Sequence, residues 1–228
     1  MGNICIIPAR GGSKRIPRKN IKDFLGKPII SYSINAALDS NLFEEVMVST
    51  DDAEIADIAI RYGAKVPFLR SVKNSDDFAT TYQVIEEVIL DYKSKLNLEF
   101  KNFCCLYSCA PFVSPYTLKL AYNNLINKKF DTVFPILEFS FPVQRALGLE
   151  NGKVNMINDE YLSTRSQDLD KRYHDAGQFY WGSVEQILRE KKMLTSNTGS
   201  IIISELEAQD IDTEVDWKLA ELKYQVKK

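Results

Sequence analysis

A chain of 228 residues with 45% hydrophobic and 26% charged residues has the composition of an ordinary globular domain and can bury a substantial core. Its 29 basic and 31 acidic residues give a formal net charge of −2, which argues against general nucleic-acid binding through an extended basic face. No apolar run approaches the roughly 18 residues that would span a membrane, and no signal-peptide pattern is visible, so the sequence predicts a cytoplasmic protein that does not bind membranes.

The first predicted elements are a short buried strand over residues 4–7 and a cationic loop. Gly11 and Gly12 would allow positive φ angles and a close approach of the backbone to a ligand. Residues 10–20 contain five cations, Arg10, Lys14, Arg15, Arg18 and Lys19, and no acid occurs before Asp23. Backbone N–H groups of such a loop can converge on one anion. The spacing fits neither the Walker loop nor the dinucleotide fingerprint. The pattern therefore predicts a phosphate-binding loop, with a solvated charged loop as the alternative.

The next segment alternates between strand and helix patterns. Pro28 suits the first position of a helix, and residues 45–50 read as a buried strand. The acidic pair at 51–52 can cap a second helix that ends before Gly63, and residues 65–69 read as another short strand. This order predicts a parallel sheet that is covered by helices on both faces.

The pattern continues through the middle of the chain. A longer helix begins at Thr80 or Thr81, and residues 103–107 form an apolar run without alternation, as expected for a central parallel strand. Ser114 caps a further helix, and residues 131–137 read as a strand. The predicted fold class is α/β, with a doubly wound, mostly parallel, Rossmann-like sheet.

The rhythm changes to short strands and turns over about residues 138–182, which we interpret as an insertion in a single domain of 228 residues. Within it, Asn151-Gly152 predicts a hairpin, and residues 158–175 predict a loop or lid. Residues 200–204 read as a strand, and Thr213 caps the last helix. The apolar face of that helix is predicted to consist of Val215, Leu219, Leu222 and Val226.

Two aspartates near the end of the chain are the second informative feature. Asp210 and Asp212 flank Ile211, and residues two apart in an extended segment point the same way. Carboxylates presented together beside phosphates commonly hold Mg²⁺, which retains several waters and bridges to the ligand. The alternative is that either aspartate only caps the following helix, a role that Thr213 could also fill.

Other polar residues give weaker signals. The acidic pairs at 51–52 and 76–77 fit helix caps or turns as well as metal or ribose contacts. Arg70 follows a short strand and could face a ligand or form a surface salt bridge. His174 is interpreted as a structural or substrate-loop residue, and Gln178 as a candidate ligand contact.

Taken together, these residues resemble the cytidylyltransferases that activate keto-sugar acids, the CMP-sialic acid synthetase family. Residues 7–14, Ile-Pro-Ala-Arg-Gly-Gly-Ser-Lys, match the opening motif of that family, and Lys19-Asn20 continues it. Residues 210–214, Asp-Ile-Asp-Thr-Glu, match its metal motif, with Asp216 two residues further on. The resemblance covers about residues 3–220.

The resemblance implies a nucleotidyltransferase fold, CTP and a nine-carbon keto-sugar acid as substrates, Mg²⁺ as cofactor, and a homodimer formed through the insertion. The implied CTP-binding residues are Arg10, Gly11, Gly12, Ser13, Lys14, Lys19, Asn20, Arg70 and Tyr107. The implied sugar-binding residues are Arg165, Gln167, Gln178 and Tyr180. Asp210 and Asp212 would hold the metal, and the implied catalytic residues are Arg10, Lys19 and Asp212.

Two departures bear on the substrate. Sialic acid synthetases commonly have Gly at the position of Arg15 and Gln at the position of Tyr107. Residues 14–20 and 173–182 look most like the pseudaminic acid cytidylyltransferase branch, which implies a bacterial diamino sugar acid as acceptor.

The implied reaction joins CMP from CTP to the anomeric hydroxyl of that acid and releases pyrophosphate. The nearest alternative is the same reaction on sialic, legionaminic or 3-deoxy-octulosonic acid. A second alternative is a non-catalytic nucleotide-binding protein of this fold. A glycosyltransferase is a third, although it would carry its Asp-x-Asp pair in the middle of the chain.

Overall fold

The computed structural model describes residues 2–227 as a central seven-stranded sheet, two small hairpins and six α-helices. In chain order the elements are β1 (Asn3–Pro8), β2 (Asp23–Phe24), β3 (Lys27–Pro28), α1 (Ile30–Ser40), β4 (Glu45–Ser49), α2 (Ala53–Arg61), α3 (Thr81–Leu96), β5 (Asn102–Leu106), α4 (Pro115–Asn127), β6 (Thr132–Glu138), β7 (Leu147–Glu150), β8 (Lys153–Met156), β9 (Tyr173–Asp175), β10 (Phe179–Ser183), α5 (Val184–Glu190), β11 (Thr198–Ile202) and α6 (Glu214–Lys227). No helix within residues 2–227 is both long and apolar enough to cross a membrane.

The sheet has the strand order β11-β6-β10-β5-β1-β4, and β9 pairs with the end of β6. Strands β4, β1, β5, β6 and β11 run in the same direction, whereas β9 and β10 run against them. The prediction of a mostly parallel α/β sheet is therefore confirmed. The reversed β10 inserts between two strands of the parallel set, which the order of elements along the chain did not predict.

Both faces of the sheet are covered, and β1 shows why its sequence is continuously apolar. Cys5 and Ile7 pack into one core with α1, α2 and α4. Ile4 and Ile6 point the other way, into a core with α3 and α5. A strand buried on both faces has no polar side, so its sequence does not alternate.

A third apolar cluster lies beneath the basic loop. Ile16 in the loop, Ile211 between the two aspartates, and Trp217 of α6 are buried together with Phe24 and Phe112. This cluster joins the beginning of the chain to its end, so the two segments that were predicted to carry the chemistry share one core.

Several local predictions are confirmed at the level of single hydrogen bonds. Asp52 caps α2 by accepting a hydrogen bond from the Ile55 backbone N–H at 3.0 Å. Thr80 and Ser114 form capping boxes at α3 and α4. The Asn151-Gly152 turn joins β7 to β8, and both of its residues have positive φ, as a two-residue hairpin requires.

Three local predictions are wrong. Only Lys65 of the predicted 65–69 strand pairs with the sheet, through a bridge to Met47, and Pro67 has no N–H to extend the ladder. Pro28 lies in β3, and α1 begins at Ile30. The third concerns α6, whose predicted apolar face is exposed: Val215 67%, Leu219 44%, Leu222 60% and Val226 74%.

Candidate active site

A cleft of about 650 Å³ opens at the carboxyl ends of β1 and β5, the edge at which open α/β sheets bind ligands. The sequence-predicted residues that line it are Arg10, Ser13, Lys14, Lys19, Asn20, Arg70, Tyr107, Asp210 and Asp212. The opening loop and the C-terminal aspartates, about 190 residues apart, therefore meet in one site. The lining residues that sequence reasoning did not single out include Asn74, Ala79, Thr81, Cys109 and Gly177.

Of the two loop glycines, Gly11 serves close packing, and neither has an unusual backbone conformation. Neither Gly11 nor Gly12 is among the described residues with positive φ, which corrects the conformational reason given for them above. A Cβ on Gly11 would lie 2.7 Å from Asp52 Oδ2, whereas a Cβ on Gly12 would meet nothing within 4 Å. Gly11 also donates its backbone N–H to Asp51 at 2.9 Å. Gly11 thus lets the loop pack against the start of α2.

Asn20 fixes the loop to the neighbouring strand end. Its side-chain amide donates to the Arg10 carbonyl at 2.8 Å, and its Oδ1 accepts from the Ser108 hydroxyl at 2.8 Å. Asn20 is buried, so both hydrogen bonds are shielded from water. It therefore holds together two walls of the cleft.

Two cations of the loop converge on one carboxylate across the cleft. Arg10 Nη1 lies 2.7 Å from Asp77 Oδ1, and Lys14 pairs with Asp77 Oδ2. Arg10 also donates to the Asp76 carbonyl at 2.8 Å. Lys14, and then Arg10, hold the pKa of Asp77 below its usual range.

The other cations of the loop have different partners. Arg15 Nη2 lies 2.7 Å from Asp212 Oδ1, and Lys19 Nζ lies 3.7 Å from the same oxygen. Lys19 also donates to the Ile211 carbonyl at 2.7 Å. Arg18 does not line the cleft, because it pairs with Asp52 and Glu54 at the start of α2.

Asp212 forms the ion pairs with Arg15 and Lys19, whereas Asp210 forms none with residues 2–227. Burial raises its pKa, and repulsion from Asp212 raises it further. Within the described chain no group of three or more His, Cys, Asp or Glu side chains is arranged to hold a metal. Two neighbouring carboxylates fit a hard cation that retains waters and completes its shell with phosphate oxygens, as Mg²⁺ does. Asp210 and Asp212 are therefore the residues that could hold such an ion.

Arg70 places a buried cation in the wall of the cleft. The residue is only 8% exposed, and its Nε donates to the Ser49 hydroxyl at 3.0 Å. Its Nη2 donates to the Ser49 carbonyl. No ion pair of Arg70 is recorded among residues 2–227, and desolvation lowers its pKa, although Asp51 and Glu87 partly oppose that effect. A buried positive charge with only neutral direct partners is ready for an anion or a polar base.

Tyr107 separates the cleft from a second cavity of about 460 Å³. Its hydroxyl lies 3.1 Å from Thr81 Oγ1, and both residues line both spaces. Tyr180 lines the second cavity and donates to Asp175 Oδ2 at 2.6 Å, and burial raises its pKa. The remaining lining residues are Phe134, Ile136, Tyr173, His174, Asp175, Met193 and Leu194.

The other predicted sugar-binding residues lie outside the cleft of their own chain. Gln178 is buried, and its side-chain amide donates to the Glu207 carbonyl at 2.5 Å. Arg165 and Gln167 are exposed on the segment between β8 and β9. Their roles in binding a sugar stay predictions.

Comparisons with known proteins identify the family of the chain. The model of the cytidylyltransferase family matches residues 4–220. The chain is 46% identical over 227 residues to pseudaminic acid cytidylyltransferase of Campylobacter jejuni serotype O:2, covering 99% of this chain and 97% of that protein. It is 32% identical to CMP-N,N'-diacetyllegionaminic acid synthase of Legionella pneumophila, covering 96% and 94% of the two chains.

The fold is also similar to that of a solved structure. The structure of CMP:2-keto-3-deoxy-manno-octonic acid synthetase complexed with CTP aligns over 100% of both chains with a TM-score of 0.74 and 16% sequence identity. At 16% identity, this similarity shows only the fold. The evidence for the activity comes from the family model and the sequence relatives. This chain belongs to the cytidylyltransferase family.

Proposed function

We propose that this enzyme transfers CMP from CTP to the anomeric hydroxyl of pseudaminic acid and releases pyrophosphate. The observation that carries the proposal is the meeting of the loop cations with Asp210 and Asp212 in one cleft. The 46% identity to a pseudaminic acid cytidylyltransferase over nearly the whole chain supports the choice of acceptor.

The loop cations would bind the triphosphate. Transfer at the α-phosphate depends on positioning the reactants and neutralising charge more than on a covalent nucleophile. A close charge pair near a protein surface is worth at most about 4 kcal/mol before desolvation, so one cation cannot both bind and activate CTP. We assign Arg10, Ser13 and Lys14 to the phosphates, and Lys19 to the negative charge that develops on the leaving pyrophosphate.

Asp210 and Asp212 would hold Mg²⁺ next to these cations. When bound, the ion would lower the pKa of the attacking hydroxyl and orient it. Lys19 donates to the carbonyl of Ile211, between the two aspartates, so one side chain links the phosphate loop to the carboxylate pair. We assign Arg70 and Asn20 to the nucleoside side of the cleft, with Tyr107 at its boundary.

The acceptor would enter from the side of Tyr107. The second cavity is lined mainly by apolar and aromatic side chains, and it adjoins the cleft at Thr81 and Tyr107. This lining supports an acceptor with apolar substituents over a fully hydroxylated one, and it gives Tyr180 a place in acceptor binding. Arg165, Gln167 and Gln178 are proposed as further sugar contacts, the first two from the insertion of a second copy.

The insertion supports a homodimer. Leu147, Leu149 and Val154 of the β7–β8 hairpin are 62%, 76% and 61% exposed, and Ile157 beside it is 65% exposed. Contiguous exposed apolar side chains commonly mark an interface. We propose that the insertion, about residues 138–182, joins two copies, and that the enzyme works in the cytoplasm, where CTP is available.

A panel of acceptors tests the substrate. Pyrophosphate release should be measured with CTP and Mg²⁺ on pseudaminic, legionaminic, sialic and 3-deoxy-octulosonic acids. We expect the highest kcat/KM with pseudaminic acid. Legionaminic acid is the main alternative acceptor because of the similarity to the Legionella synthase. A preference for it would show that the assignment of pseudaminic acid is wrong. Binding of CTP without turnover on any of them would favour a non-catalytic nucleotide-binding protein.

Asp212→Asn tests the metal pair. The substitution removes a carboxylate but leaves Arg15 and Lys19 in place, so CTP affinity should survive while kcat falls by about 100-fold or more, a loss of roughly 2.7 kcal/mol of transition-state stabilisation. Asp210→Asn should behave in the same way. The exposed Asp39 on α1 provides Asp39→Asn as a control with the same change in charge. Near-normal turnover in both site variants would remove the metal assignment.

A further inference from the structure

Asp77 makes the contacts that a phosphate group is proposed to make. Each of its two carboxylate oxygens pairs with a different cation, Oδ1 with Arg10 and Oδ2 with Lys14. Both cations are among the side chains assigned above to the triphosphate. Neighbouring oxygens of a phosphate would satisfy both cations in the same way, because a carboxylate and a phosphate both offer paired anionic oxygens to basic groups.

The segment that carries Asp77, residues 71–80, is anchored to α3 at its two ends, and Asn74, which is buried and donates to Glu87, extends the first anchor. At the first end, Ser71 donates its backbone N–H and its hydroxyl to Glu87 of α3, each at 2.7 Å. At the other end, Thr80 forms the capping box of α3 with Gln83. The side chains of this segment include two of the most exposed apolar groups of the described chain, Val72 at 91% and Phe78 at 88%.

The middle of the segment is joined to the opposite wall of the cleft through the basic loop. The recorded links are Arg10 to the Asp76 carbonyl and the ion pairs of Arg10 and Lys14 with Asp77. The Asp76 carboxylate is used within the segment, where it accepts from the backbone N–H groups of Phe78 and Ala79 at 2.9 and 2.8 Å. The segment is thus a strap with packed ends, and ion pairs hold its centre across the phosphate side of the cleft.

We propose that Asp77 is an internal competitor of the triphosphate. Its ion pairs with Arg10 and Lys14 hold the 71–80 segment across the cleft, and CTP displaces Asp77 when it binds. After transfer, the same carboxylate competes with pyrophosphate for Arg10 and Lys14 and so favours its release. This inference rests on the proposed function, because it takes Arg10 and Lys14 as phosphate ligands.

The competition sets the apparent affinity. In the open form, Asp77 is released from Arg10 and Lys14. For a ligand that binds only this form, the apparent dissociation constant equals the intrinsic one divided by the fraction of enzyme that is open. Lys14 and Asp77 have side chains 78% and 40% exposed, and exposed ion pairs are individually weak. Removal of the competing charge should therefore tighten the binding of CTP and of inorganic pyrophosphate by about 2- to 10-fold.

Asp77→Asn tests the proposal in the full-length protein. Dissociation constants for CTP and for inorganic pyrophosphate should be measured by calorimetry, without acceptor, in the wild type, Asp77→Asn and Asp77→Ala. Asp39→Asn removes one negative charge elsewhere, so it controls for a general increase in attraction to anions. We expect tighter binding of both ligands in both Asp77 variants, no such change in the control, and stronger product inhibition by pyrophosphate.

Hydrogen exchange of the backbone amides of residues 72–79 gives a second readout. Pyrophosphate should speed this exchange in the wild type, whereas in Asp77→Asn the exchange should be fast before any ligand is added. The proposal that Asp77 competes with the triphosphate would be wrong if CTP binding were unchanged or weaker in both variants. It would also be wrong if pyrophosphate slowed the exchange in the wild type. If the wild type itself fails to bind CTP, the proposed function fails instead.

Discussion

Arg70 lines the cleft, but its buried charge is expected to lower the stability of the folded state. Its guanidinium is buried against Ser49, and desolvation lowers its pKa more than the nearby carboxylates of Asp51 and Glu87 raise it. A buried charge with incomplete compensation is costly to the folded state. The residue therefore makes more sense as a ligand contact than as a structural one.

Arg70→Met separates these two roles. Methionine fills a similar length without a charge, and the Ser49 carbonyl keeps its hydrogen bond from the Ala9 backbone N–H at 2.9 Å. We expect a melting temperature equal to or above that of the wild type. The dissociation constant for CTP should rise about 10-fold or more, since hydrogen bonds to charged groups contribute about 1.5–3 kcal/mol. Thermal melting and calorimetry measure both quantities.

Arg70→Lys is the control for the geometry of the guanidinium. Lysine keeps the charge but cannot make the paired contacts of arginine, so it should bind CTP with an affinity between those of the wild type and the methionine variant. A clear loss of stability with unchanged CTP affinity in Arg70→Met would make Arg70 a structural residue.

The sequence predicted single site residues better than their partners. The hypotheses for Arg10, Lys14 and the aspartates at 210 and 212 came from residue type and spacing, and all four residues line the cleft. For Asp77 the sequence suggested a cap, a turn, or a metal or ribose contact, but not its ion pair with Lys14, which joins loops 63 positions apart. Such a contact depends on how the loops pack, which local patterns do not contain.

Among the elements, α2 is linked to the basic loop through its capping residue, Asp52. Asp52 caps the helix and also pairs with Arg18. The hydrogen bond from Arg18 is the main cause of the lowered pKa of Asp52. A carboxyl whose pKa is lower in the folded than in the unfolded state stabilises the fold at neutral pH.

Asp52→Asn tests this contribution and its pH dependence. Asparagine remains a good N-cap, so the variant loses the charge and keeps the cap. With the Asp52 side chain 21% exposed, we expect a loss of about 0.5–1 kcal/mol in the free energy of unfolding at pH 7. The difference should be complete above about pH 4 and should vanish as the pH falls through the lowered pKa of Asp52. Urea unfolding at several pH values measures it.

The pairing partner supplies the control for that experiment. In an Arg18→Gln background, Asp52→Asn should cost little at any pH, because the ion pair is already absent. A pH-independent difference that persists in this background would assign the effect to the cap and not to the ion pair.

Helix α6 shows what the spacing of apolar residues cannot predict, namely which side of a helix is buried. The spacing of Val215, Leu219, Leu222 and Val226 correctly predicted a helix, but these side chains lie on the exposed side. The buried side presents Trp217 and Ala220 to the cluster beneath the phosphate loop. The helix has apolar residues on two opposite sides, and a periodic pattern cannot say which side meets the core.

At the scale of the whole molecule, the sheet topology was only partly readable from the sequence. Alternating strands and helices predicted the parallel strands up to β6, except that the strand predicted over residues 65–69 contributes only a bridge at Lys65. After the insertion the chain returns to the sheet as β10, which pairs antiparallel with β5 and β6, two strands that are distant from it in sequence. Pairing partners of a strand are not encoded in its own residues, so its direction and place were not predictable.

The insertion is where the proposed dimer can be tested. Leu149 faces Val154 across the hairpin and is 76% exposed, so Leu149→Asp removes little packing within the chain. An aspartate at the centre of an apolar interface would be buried without a partner, which costs several kcal/mol. We therefore expect the variant to sediment as a monomer in analytical ultracentrifugation at concentrations where the wild type is a dimer. Leu90→Asp, at a site on α3 that is 50% exposed, should remain dimeric.

The same variant connects assembly to catalysis. The nucleotide cleft is built from residues of one chain, so monomeric Leu149→Asp should bind CTP with wild-type affinity. Arg165 lies on the insertion and outside the cleft of its own chain. If it serves the partner's acceptor site, turnover of the sugar acid should fall at least 10-fold in the monomer. A fully active monomer would contradict that sharing, because each chain would then contain all the groups that the reaction requires.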